Sequence, residues 1–170
     1  MDKRFIIELP HLEGIIDFNS LLKSYDWNDN KDWPWRGIRC YEVFSDQPEM
    51  QNFISKYHVN EHYSSAPRYW LSHKPIGVQL WPHTDDTRDA ALIFPIIPES
   101  HTLHFLADKN NEDSIIYSHK YRCPGIPNSK IVHTAHDKDI ERYYLQISLY
   151  FKDYNWNDLS LLVASGEVFA

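Results

Sequence analysis

The stretch LWPHTDDTRDAALIFPI, residues 80–96, breaks an apolar run with a histidine, a threonine and two aspartates, then resumes it. Successive side chains of an extended chain point to opposite faces, so positions i and i+2 share one. If the segment is extended, His83 and Asp85 face the same way and can grip one object together. Asp86 falls on the other face and is assigned to the turn. The plain alternative is a histidine hydrogen-bonded to a turn aspartate, and this motif alone does not separate the two.

A second stretch bears on the choice: IPNSKIVHTAHDKDIERYYLQISLYF, residues 126–151. His133 closes a strand-like run, a polar turn follows, and Arg142 opens another strand. His136, three positions after His133, would face the opposite way and is the less suited of the two. Along the last strand Arg142, Tyr144, Gln146 and Ser148 share one face, while Tyr143, Leu145, Ile147, Leu149 and Phe151 share the other. One face is apolar enough to pack. The other sets a cation among hydroxyls and an amide, and a cation turned inward needs an anionic partner. Glu141 and Asp139 are poor partners, since adjacent residues point apart, so Arg142 is expected to lack a local acid on its own face.

Around these motifs, RYWLSHKP, IGVQLWPH, DAALIFPII, HTLHFLA, DSIIYSH, SKIVHTA and RYYLQISLYF are short β-rich runs separated by Pro, Gly, Asn and Asp. Their spacing suits an all-β sandwich or barrel. The first third reads differently. Ile15, Phe18, Leu21, Leu22 and Tyr25 recur at helical spacing. SDQPEMQNFISKYH carries a helix signature, with Asp46 as the cap, Pro48 in the first turn and Glu49 behind it. The Trp-rich segment 26–37 reads as a loop, and the tail NWNDLSLLVASGEVFA as a short helix. The expected architecture is mainly β: one jelly-roll domain over residues 1–170, its core at about 68–152, with N-terminal helices packed outside.

Composition narrows the function classes. The chain has 170 residues, 42% of them hydrophobic, which supports a core without disulfide staples. Its net charge of -7 is the wrong sign for a nucleic-acid binder. No run approaches the roughly 20 apolar residues that span a bilayer, and no signal-peptide core is visible. The two cysteines, Cys40 and Cys123, form neither a framework nor a CxxC motif. A cytoplasmic protein is expected, with neither membrane nor nucleic acid among its partners.

The ordered set is now His-x-Asp, a histidine fifty residues later, and an arginine nine residues after that. Two histidines and one carboxylate occupy one face of an octahedron and leave three positions open. With WPHTDD, IVHTAH and RYYLQIS, the chain resembles the Fe(II)/2-oxoglutarate-dependent dioxygenases, which fold as a double-stranded β-helix. GVQLWPHTD followed by ALIFPIIP is similar to the aspartyl/asparaginyl β-hydroxylase branch and to small prolyl-hydroxylase-like members. The likeness covers residues 68–152. It implies that His83, Asp85 and His133 hold Fe(II), and that Arg142 reads the far carboxylate of 2-oxoglutarate. Decarboxylation of 2-oxoglutarate to succinate and CO2 would accompany hydroxylation of a C–H bond by O2. Relatives that halogenate lack the carboxylate ligand, so Asp85 points to hydroxylation or demethylation over halogenation. Many relatives carry serine two positions after the arginine, where Tyr144 stands here; its hydroxyl would serve the same carboxylate. Ser72 and Tyr69, on the strand before the H-x-D run, are further candidates to touch the co-substrate, with strand packing the favoured role for Tyr69, and Arg88 is a candidate to hold a carboxylate of the substrate. That substrate is expected to be an amino acid, a peptide or a small metabolite. Two other classes stay open: a β-helix binding module, and a cupin-like metalloenzyme that does not use 2-oxoglutarate. Arg142 is the residue that separates the first reading from these.

Overall fold

The structure is a computed structural model, and it describes residues 2–25, 37–44, 46–58, 60–135 and 137–170. Ten strands form two antiparallel sheets. The strands are β1 (Ile6–Glu8), β2 (Arg39–Val43), β3 (Arg68–Lys74), β4 (Leu80–His83) and β5 (Ala90–Ile97), followed by β6 (Thr102–Leu106), β7 (Ile115–Lys120), β8 (Gly125–Pro127), β9 (His133–Ala135) and β10 (Arg142–Leu149). The larger sheet runs β1-β8-β5-β10-β3-β2 and the smaller β4-β9-β6-β7. From β3 to β10 the chain crosses between the sheets at every step except the β6–β7 pair, which stays within the smaller one, in the manner of a jelly roll, and a cavity lies between the two layers.

Alternation along β10 decides which way each residue looks. Leu145, Ile147 and Leu149 join Leu71, Leu92 and Phe94 in an apolar layer on the outside of the larger sheet. Three helices cover that layer: α1 (Phe18–Lys23), α2 (Gln51–Tyr57) and α3 (Trp156–Ser165), through buried Leu21, Phe53 and Leu159. Phe53 is the hub, with its ring 5.7 Å from that of Phe94 and 4.9 Å from that of Tyr57. A side chain of this kind stabilises by about 1.5–3 kcal/mol when buried. The opposite face of the sheet contributes Ala91, Ile93 and Tyr144, which meet Leu103 and Phe105 of the smaller sheet.

Local signals account for three helix ends. Asp17 caps α1 by accepting from the Ser20 amide, and Asn155 caps α3 through the Asn157 amide. Gly166 closes α3 with φ of 78°, a left-handed conformation that favours glycine. Two expectations need correction. The SDQPEM segment opens with a 3-10 turn over Pro48–Met50, and α2 starts only at Gln51, so Asp46 is not its cap. His133 opens β9 and does not close a strand, because Asn128 and Ile131 form a turn ahead of it. Strands β1 and β8, three residues each, leave no periodicity to read. The Trp-rich segment at 26–36 and His136 lie outside the described residues. No helix among the described residues is long and apolar enough to cross a membrane.

Candidate metal centre

Strands β4 and β9 pair antiparallel with His83 directly opposite His133. The two imidazole centroids lie 4.3 Å apart. Asp85 follows two residues beyond β4, where its amide donates to the Ser129 carbonyl at 2.9 Å. His83, Asp85 and His133 are all buried, and each offers one ligand atom within 4.8 Å of the other two. No other such group occurs among the described residues.

The histidine rings are held in a ligating orientation. His83 Nδ1 lies 2.7 Å from the Trp81 carbonyl, and His133 Nδ1 lies 2.9 Å from the Ile131 carbonyl. A carbonyl only accepts, so each Nδ1 carries the proton and each Nε2 presents its lone pair. Backbone carbonyls fix the imidazoles of metal sites in this way. Burial is the main force lowering the proton affinity of both rings, and for His83 the neighbouring His133 adds to it. Both shifts favour the neutral ring that a metal ligand needs. Two imidazoles and a carboxylate make a donor set that fits a divalent transition metal and suits Fe(II) with open positions.

Arg88 does not stand free for a substrate, as the sequence led us to expect. Its Nε donates to Asp85 Oδ2 at 2.9 Å and its terminal nitrogen to Oδ1 at 2.8 Å. The turn between them folds the fork back onto the carboxylate. The carboxylate retains lone pairs for a metal, since each oxygen carries two. Lys130 then clamps the turn by donating to the carbonyls of Asp85 and Arg88, at 2.9 Å each. Asp86 is exposed.

Arg142 enters the same cavity from β10, 2% exposed. The expectation that it lacks a local acid is overturned: its terminal nitrogen contacts the Asp137 carboxylate. The β9–β10 connection turns back sharply enough to bring an acid five residues earlier alongside. Glu141 instead reaches His73, at 2.8 Å. Arg142 Nε has no hydrogen-bond partner among the described residues.

The remaining candidates divide by strand parity. Tyr144 lines the cavity with Gln146. Ser72 is paired with Tyr144 across β3–β10, and its hydroxyl lies 3.4 Å from Cys40 Sγ. Tyr69 is an odd number of positions from Ser72 and faces the other way, into the helix-covered layer, where its hydroxyl meets His58 Nδ1 at 2.7 Å. It does not reach the cavity. Sequence reasoning passed over three cavity residues: Lys74, His101 and Tyr121. Lys74 shares the parity of Ser72 and pairs with Arg142, so alternation was a usable signal. His101 lies ahead of β6, and burial pushes its pKa down to about 3. Its Nδ1 and the Tyr121 hydroxyl are buried without hydrogen-bond partners among the described residues.

Comparison with known proteins adds one observation. No family model matches the chain, and no curated protein matches it in sequence. Among solved structures it is similar to a prolyl-4-hydroxylase from Pseudomonas putida, at 14% identity and a TM-score of 0.52. The match covers 80% of this chain and 85% of that one. At this identity the likeness concerns the fold.

Proposed function

We propose that this chain is an Fe(II)- and 2-oxoglutarate-dependent dioxygenase that hydroxylates a C–H bond of an amino acid, a peptide or a small metabolite. The observation that carries the reading is one cavity holding both a His–Asp–His cluster on one wall and a buried arginine on the other. The fold of the P. putida enzyme, named for prolyl hydroxylation, is in keeping with it.

His83, Asp85 and His133 would hold the iron, which when bound supplies the redox chemistry that O2 and 2-oxoglutarate require. The chain's own contribution is position and environment. Backbone carbonyls aim both Nε2 atoms. Arg88 and Lys130 hold the loop that carries Asp85. Arg142 donates to the distal carboxylate of 2-oxoglutarate, with the Tyr144 phenol beside it. Ala91, Ile93 and Leu103 keep the space between the sheets apolar and exclude water from the reacting groups.

Adding Fe(II) and 2-oxoglutarate without oxygen should produce a visible charge-transfer absorption. Admitting oxygen should release succinate, faster when an amino-acid or peptide screen contains the substrate. A colourless mixture that binds neither component would sink the reading and favour a binding module. Metal binding without any response to 2-oxoglutarate would favour a cupin-like enzyme.

A further inference from the structure

Lys74 is 2% exposed, among the most completely buried large side chains of the protein. It ends β3, lies directly opposite Arg142 in the β3–β10 ladder, and lines the same cavity. Its ammonium donates to the Val78 carbonyl at 2.8 Å and more weakly to that of Pro75 at 3.4 Å. No carboxylate lies within ion-pair distance of it among the described residues. Burial, and next the charge of Arg142, depress its proton affinity, while Asp137 and Asp139 act from farther off.

A buried cation held only by carbonyls is unusual, because an ammonium loses its hydration on burial and carbonyl dipoles do not replace an opposite charge. The charges at this end of the cavity do not balance. Lys74 and Arg142 supply two positive charges, and among the described residues Asp137 supplies the one carboxylate in contact. Three further atoms are buried here without hydrogen-bond partners among the described residues: Arg142 Nε, His101 Nδ1 and the Tyr121 hydroxyl. One additional carboxylate would neutralise the cluster and meet those atoms, without expelling Asp137.

On this basis, and resting on the oxygenase reading above, we infer that Lys74 is a specificity-determining residue. It sets the net charge that makes the cavity select a 2-oxo acid with an ionised tail over one with an uncharged tail. Arg142 supplies the fork, Asp137 cancels one of the two positive charges, and Lys74 leaves the surplus that the ligand's distal carboxylate cancels. The tie to Val78 and Pro75 holds the ammonium at the cavity wall and leaves one of its three donors for the ligand.

The test is calorimetric titration of Fe(II)-loaded protein, without oxygen, with 2-oxoglutarate and separately with 2-oxopentanoate, which has the same chain length and no tail charge. Lys74→Met should lose about 10- to 100-fold in affinity for 2-oxoglutarate. It should change affinity for 2-oxopentanoate by less than about threefold, and leave Fe(II) affinity unaltered. Lys74→Arg should restore most of the preference. Should the methionine variant fail to fold, Lys74→Gln drops the charge while keeping a donor for the Val78 carbonyl, and the same outcome is expected. Equal losses for both ligands would make Lys74 a structural tie and overturn the inference, as would no loss at all. If the wild-type protein binds Fe(II) but neither ligand, the oxygenase reading itself fails.

Discussion

Replacing Asp85 by alanine should do two things at once, because the carboxylate serves two partners. It removes one of three prospective metal ligands, and it strands Arg88. Asp85 is 8% and Arg88 18% exposed, with two charge-assisted bonds between them. Breaking a fully buried pair costs about 3–5 kcal/mol. Arg88 keeps some access to water, which places this case at the low end, about 3 kcal/mol. In a chain of this length each kcal/mol moves the midpoint by about 2–4 °C, so the metal-free variant should melt about 6–12 °C lower. Asp85→Ala/Arg88→Met removes the stranded charge and should regain more than half of that loss. Neither variant should recover the metal. Even an outer partner costs 10- to 100-fold in affinity, so loss of a ligand should cost more than about 100-fold. Thermal melts of the metal-free proteins and anaerobic Fe(II) titrations read the two effects separately. Asp86→Ala is the control, expected within about 0.5 kcal/mol of wild type and normal in metal affinity. The assignment fails if Asp85→Ala keeps normal Fe(II) affinity while Asp86→Ala loses it. The ion-pair argument fails if the double variant is no more stable than Asp85→Ala.

Further expectations concern the rest of the cavity and the helical cover. Arg142→Lys should weaken 2-oxoglutarate binding by about tenfold through loss of the fork, whereas Asp137→Asn should tighten it by removing a competing negative charge; weaker binding in Asp137→Asn would mean that Asp137 instead aims the guanidinium. His101, with a pKa of about 3 when folded against 6.5 otherwise, takes up its proton first in the unfolded chain. Its stability contribution is therefore fully present above about pH 6.5 and is lost toward pH 3, at about 1.4 kcal/mol per pH unit. Urea denaturation across that range should give a slope shallower by up to one proton in His101→Gln, and an unchanged slope would refute this. Phe53→Ala should cost about 3–5 kcal/mol in the same assay while leaving metal affinity intact, since its contacts lie on the far side of the larger sheet.

Much of this cavity can be reasoned from strand alternation. Parity along β10 sorts Arg142, Tyr144 and Gln146 from Leu145, Ile147 and Leu149, and the structure puts the two sets on opposite faces of the larger sheet. The same rule applied to β3 separates Ser72 and Lys74 from Tyr69. Grouping Tyr69 with Ser72 neglected it, and Lys74 was overlooked for want of the cross-strand register that pairs it with Arg142. Local patterns carry this kind of information because a side chain's direction depends on its own backbone and that of its immediate neighbours.

Which groups neutralise which charges is a different kind of question. Asp137 turning to Arg142, Glu141 to His73 and Arg88 to Asp85 depend on how tightly three turns fold, to within an ångström or two. Residue spacing constrains such turns only loosely. The same holds for β1 and β8: three residues carry no period, and they become strands because β5 offers an edge to β8 and β8 in turn offers one to β1. The sequence alone therefore determined a β-rich chain, the presence of helices in its first third and a His-x-Asp motif followed by a histidine and an arginine. Only the tertiary structure decided that His83 would face His133 across a strand pair, that Arg88 would be committed to Asp85, and that of two buried cations Arg142 would contact an acid while Lys74 is held by carbonyls. Charge pairing depends on distance through space, and that distance is set by packing of segments far apart in the chain.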